Sequence, residues 1–137
     1  MCLYVLKEMP KKLTTTKHYV VYKRLRSLVH DRKLAYRPPY YSGFLYEPGK
    51  LNEINAIYSR KSVGGARRVV ERGFHAYRDA ATAYQKRWLD TEKAKPCIIP
   101  AGSQVFYGDG NEVVSNKLIV FNNMEQLNKW CANNPVT

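Results

Sequence analysis

The sequence predicts an α+β fold: a single small domain with an antiparallel sheet, a C-terminal hairpin and two or three short helices. Three observations lead there. The chain has 137 residues, enough for one domain and too few for two ordinary ones. Residues 97–121 alternate short apolar runs with turn residues. Two segments, 79–90 and 123–132, space their apolar residues as a helix does, and each follows a residue suited to cap one.

The elements follow in chain order. CLYVL (2–6) suits a pleated strand and ends at the break Met9-Pro10-Lys11-Lys12. A second strand is expected over 18–25, although Val21, Leu25, Leu28 and Val29 also fit a helical stripe. RPPYYSGFLYEPGK (37–50) cannot be helical, because its prolines force extended backbone before them and remove donors. GFLYE within it suits a short strand with Phe44 and Tyr46 on one face. Residues 52–67 read as a mobile loop with one helical turn at most, since Gly64-Gly65 makes ordering costly. VVERGFHAY (69–77) reads as a turn and a short strand.

Asp79 then caps a helix that places Ala80, Tyr84 and Trp88 on one face. CII, QVFYG, EVVS and KLIVF are strands, with Gly108-Asp109-Gly110 as a hairpin turn because Gly and Asp tolerate positive φ. A closing helix puts Met124, Leu127, Trp130 and Cys131 on one stripe, capped by Asn122 or Asn123.

The formal net charge is +12, and it is unevenly spread. Residues 1–75 hold 16 Lys and Arg against 5 Asp and Glu; residues 76–137 hold 7 against 6. The first part is therefore a basic segment and the second mainly scaffold. A concentration of positive charge favours an anionic partner, while a solvated, solubilising surface is the plainer account. Cys2, Cys97 and Cys131 lie far apart with no paired spacing, which suggests reduced thiols in a cytosolic setting. No metal site or cofactor is expected. No apolar run reaches the ~20 residues that span a bilayer, so no membrane association is expected.

Three segments carry a resemblance: GFLYEPGK (43–50), GFHAYRDAATAY (73–84) and CIIPAGSQVFYGDGNEVVSNKLIVF (97–121). This ordered set resembles a family of small proteins encoded by bacteriophages and prophages. The shared positions are mostly glycine, proline and aromatic. The resemblance implies a common fold and a phage-type origin, with the host cytoplasm or the virion as location, and it assigns no activity to particular residues.

The basic, ring-bearing stretch 17–41 offers Lys23, Arg24, Arg26, Arg32, Lys33, Arg37, Tyr40 and Tyr41 as anion-binding candidates. Cations neutralise phosphates and tyrosines stack on unpaired bases, a mixture that suits nucleic acid. The alternative is that the rings pack on the sheet and the cations are solvated. SRKSVGGARR (59–68) could wrap a phosphate with Arg60, Lys61, Arg67 and Arg68, but it lacks the Walker spacing. His75 is a possible polar site. An acid/base role needs an orienting carboxylate, whereas Gly-Phe-His before a helix more often means close backbone approach at the glycine and the aromatic ring in the core. His75 with Glu112 could be fitted to ADP-ribosyl transfer, a third reading. The expectation is thus a non-catalytic accessory protein that binds nucleic acid, a nucleotide or an acidic host protein. A minor virion or capsid-associated protein is the alternative, and a homo-oligomer is compatible with either.

Overall fold

The computed structural model describes residues 3–5, 12–30, 32–37, 45–57, 60–61, 68–70, 73–85, 92–108 and 111–136. Every strand pair in it is antiparallel. Strand β1 (Leu3–Val5) is followed by β2 (Leu13–Thr14), the long β3 (Tyr19–His30) and β4 (Lys33–Arg37). Short strands β5 (Leu51–Glu53), β6 (Arg60–Lys61) and β7 (Arg68–Val70) lead to β8 (Phe74–Tyr77) and helix α1 (Ala80–Gln85). Strands β9 (Glu92–Ile99), β10 (Gln104–Tyr107), β11 (Glu112–Ser115) and β12 (Lys117–Val120) precede helix α2 (Met124–Asn133). The main sheet runs β2-β10-β11-β8-β3-β9-β12-β5, with β4 added on β3, and β1-β7-β6 form a small second sheet.

Strand β3 is the spine. It pairs with β9 along eight residue pairs, from Tyr19 with Ile99 to Arg26 with Glu92. Its other edge is shared. Strand β8 pairs there at Tyr22 with Tyr77, and β4 takes over from Arg26 with Arg37 to His30 with Lys33. The sheet therefore forks along β3 between Tyr22 and Arg26.

Side chains alternate across a strand, so β3 contributes to two packed layers. Val21 and Leu25 join Cys97, Ile99, Val105, Val113, Leu118, Val120, Phe74 and Tyr36 in the main core. On the opposite face Ile98, Ile119 and Phe121 lie under Leu127, Trp130 and Cys131 of α2. Helix α1 packs on β3, β9 and β8 and buries Ala83 completely. Covering both faces explains why 18–25 lacks clean apolar-polar alternation.

Local chemistry accounts for the turns and caps. Asp79 accepts from the Thr82 amide at 2.7 Å, and Asn123 accepts from the Gln126 amide at 2.9 Å, each capping its helix. Gly73 sits at φ 128°, and a Cβ there would lie 2.5 Å from Val114 Cγ1 and 2.9 Å from Ile57 Cγ2. Only glycine fits this approach, as the Gly-Phe-His reading anticipated, and Phe74 is in the core.

The two motifs richest in turn residues are structural. At Pro100–Ser103 the Thr15 hydroxyl donates to the Pro100 carbonyl at 2.9 Å, and Gly102 donates to the Thr15 carbonyl at 2.7 Å. Asn116 accepts from the Gln104 amide at 2.8 Å and donates to the Ile54 carbonyl, holding the β11–β12 corner. His18 joins the ends of the chain. Its Nδ1 accepts from the Ala101 amide at 3.0 Å, which leaves Nε2–H to donate to the Asn134 carbonyl at 2.7 Å.

Several sequence expectations need correcting. The strand expected at 18–25 continues to His30 and returns as β4, so the helical stripe through Leu28 and Val29 does not form. Within 52–67 the described residues contain strand rather than a helical turn. The α1 helix is described only to Gln85, so Trp88 lies outside the described residues, as does Phe44. Tyr46 makes a single bridge with Tyr36.

Candidate anion-binding hairpin

Between β3 and β4, Arg32 lies in the left-handed region at φ 62°. Among the described residues β9 ends its pairing at Arg26, and Ser27–His30 pair with β4 alone. Val29 and Leu34 face each other across that two-stranded ribbon and are 74% and 42% exposed. Arg32 and Lys33 at the tip are exposed, and Arg26 and Arg37 are directly opposed at its base, each half-buried. The Arg37 Nε is buried and has no hydrogen-bond partner among the described residues. Like charges directly opposite destabilise a ladder, and the Arg26–Arg37 pair places two of them there. On β9, Glu92 stands opposite Arg26 and the exposed Lys93 opposite Leu25.

The structure divides the candidates. Arg26, Arg32, Lys33 and Arg37 come together on the hairpin. Arg24 is only 5% exposed and Lys23 points into the core layer between Val21 and Leu25, so neither belongs to a surface patch. Arg60, Lys61 and Arg68 lie on the small β1-β7-β6 sheet, where only backbone is described. Tyr40, Tyr41 and Arg67 lie outside the described residues.

Lys23 occupies the fork. Continuing the β3–β8 ladder would oppose Arg24 to His75, but the pairing stops at Tyr22. The Lys23 ammonium fills the opening, donating to the His75 carbonyl at 2.5 Å and lying 5.7 Å from the centre of the Tyr46 ring. Burial lowers its pKa to about 8, with Arg24 adding repulsion and Cys97 opposing the shift. Burial pushes the Cys97 thiol up to about 12. His75 is pulled down to about 3 by burial and by the Lys23 charge, so its imidazole is neutral near pH 7. A neutral imidazole brings no positive charge to an anion. His75 and Glu112 do share a face, because Val114 opposes His75 on the neighbouring strand.

Sequence reasoning missed Val29, Leu34 and Lys93. The signal for Val29 and Leu34 was the apolar run on either side of His30–Lys33, which lacks the glycine that normally marks a tight hairpin; Lys93 had none.

Among the described residues no group of three His, Cys, Asp or Glu is placed to hold a metal ion, and no helix is long and apolar enough to cross a membrane. No protein-family model matches the chain, and neither a curated protein nor a solved structure matches it.

Proposed function

We propose that this chain is a small phage-type accessory protein that binds an anionic partner through the β3–β4 hairpin. Nucleic acid, a nucleotide or an acidic face of a host protein all fit that description. The observation that carries the reading is the exposed Val29–Leu34 pair flanked by Arg32 and Lys33. An apolar contact set among cations is costly in water and useful against a negatively charged surface with an apolar component. The asymmetry of charge along the chain supports the same reading, since the hairpin lies within the basic part.

The test is elution from a phosphate-bearing cation exchanger. The Arg32→Ala/Lys33→Ala variant should elute at clearly lower salt than wild type. Lys117→Ala removes a cation already paired with Glu53 at 3.5 Å and should elute close to wild type. Displacement by the double variant no more than twice that by Lys117→Ala would mean that net charge alone drives retention, since it removes two charges against one, and the reading would fail.

A further inference from the structure

Resting on that reading, we infer that the anionic partner is double-stranded DNA, entered by the β3–β4 hairpin at a groove. Arg26 and Arg37 are cross-strand partners and share one face of the ribbon. Lys93 opposes Leu25 and therefore lies on the other face, at the base of the ribbon, on the side of Val29 and Leu34. Arg32 and Lys33 occupy the leading end. A flat acidic protein surface would meet one face and leave the cations of the other in water. An element seated between two rows of phosphates meets negative charge on both sides, which suits cations on both faces even with Glu92 opposite Arg26.

The five cross-strand pairs from Arg26 to His30 extend about 14 Å at ~3.4 Å per residue. That length reaches the floor of a B-form major groove, roughly 8.5 Å deep, which admits a two-stranded ribbon. In a groove, Val29 and Leu34 at the leading end would meet base edges, where apolar side chains contact thymine methyls or wedge between base steps. A single strand offers no such walls. A second copy of this chain is disfavoured as occupant, because it would bring the same cations to the contact in a protein already at +12.

The experiment is fluorescence anisotropy with a labelled DNA duplex, the same-length single strand, an RNA duplex, inorganic polyphosphate and polyglutamate, across a salt series. The wild type should bind duplex DNA at least tenfold more tightly than the other four. Val29→Ser/Leu34→Ser should weaken duplex binding about tenfold and leave polyphosphate binding within twofold. Arg32→Ala/Lys33→Ala should weaken both and lower the duplex salt slope by roughly 2, since each lost phosphate contact removes about 0.9. Thermal melts establish that these exposed-site variants stay folded. Equal or tighter binding of single strand, RNA or polyglutamate, or an unchanged duplex affinity in Val29→Ser/Leu34→Ser, would overturn the duplex assignment while leaving the anionic reading intact. Absence of binding to every polyanion at moderate salt would overturn both.

Discussion

Lys23 donates to the carbonyl of His75 at the point where β8 leaves β3, so one ammonium satisfies a backbone oxygen that the ladder no longer reaches. The same charge helps keep His75 neutral and opposes the upward shift of the Cys97 thiol. The fork in the sheet is thus held by a cation that is itself poorly solvated, and its titration should be visible in stability.

The alkaline limb should show two opposed contributions. Lys23 has a folded pKa of about 8, below its ordinary value, so between pH 8 and 10.5 the unfolded chain binds more protons and stability rises with pH. The full span corresponds to about 3 kcal/mol. Cys97, raised to about 12, acts in reverse from pH 9 upward, because the unfolded thiol ionises first. Urea denaturation from pH 7.5 to 9.5 should show stability rising in Cys97→Ala and not rising in Lys23→Met. Parallel curves for the two variants would refute this account of the fork.

The acid limb belongs in part to His75. Its folded pKa of about 3 lies below the ordinary 6.5, so on acidification the unfolded chain takes up a proton that the native chain refuses. Stability should fall from pH 6.5 to 5 with a slope approaching 1.4 kcal/mol per unit, a limit of roughly that size following from one proton. His75→Gln should flatten that slope and leave polyanion binding within twofold. Lost binding with an unchanged slope would show that the imidazole is functional.

Gly73→Ala should destabilise by roughly 2–3 kcal/mol, because it combines an unfavourable positive φ with overpacking against Val114 and Ile57. The Val114→Ala background should recover part of that loss, measured as a shift in the urea midpoint. A full-strength effect in that background would remove the steric half of the explanation.

Arg37 should trade stability for binding. Its Nε is buried without a partner among the described residues, an arrangement that costs about 1–3 kcal/mol. Arg37→Met keeps the apolar stem and removes both the orphaned donor and the like-charge contact with Arg26. The melting temperature should hold or rise while affinity for duplex DNA falls several-fold. A fall in melting temperature would mean that the guanidinium supports the hairpin rather than a ligand.

Local chemistry was legible in the chain. Asp79 and Asn123 cap helices where their positions require it, and β10 pairs with β11, Tyr107 opposite Val113, on the two sides of the expected Gly108-Asp109-Gly110 turn, of which Asp109 and Gly110 lie outside the described residues. The close approach at Gly73 followed from its neighbours alone. These features depend on a few consecutive residues, so spacing suffices to read them. Composition likewise sets the basic balance of the first 75 residues. What it could not assign is which of those cations meets solvent. In VVYKRLR both faces of the strand are covered, one by the main core and the other by packed helices, so polarity does not report direction. Tertiary packing sent Lys23 and Arg24 inward, brought Arg26 opposite Arg37, and left Val29 and Leu34 uncovered. Burial belongs to a pair of surfaces, and a residue's neighbours in sequence are not the ones that cover it.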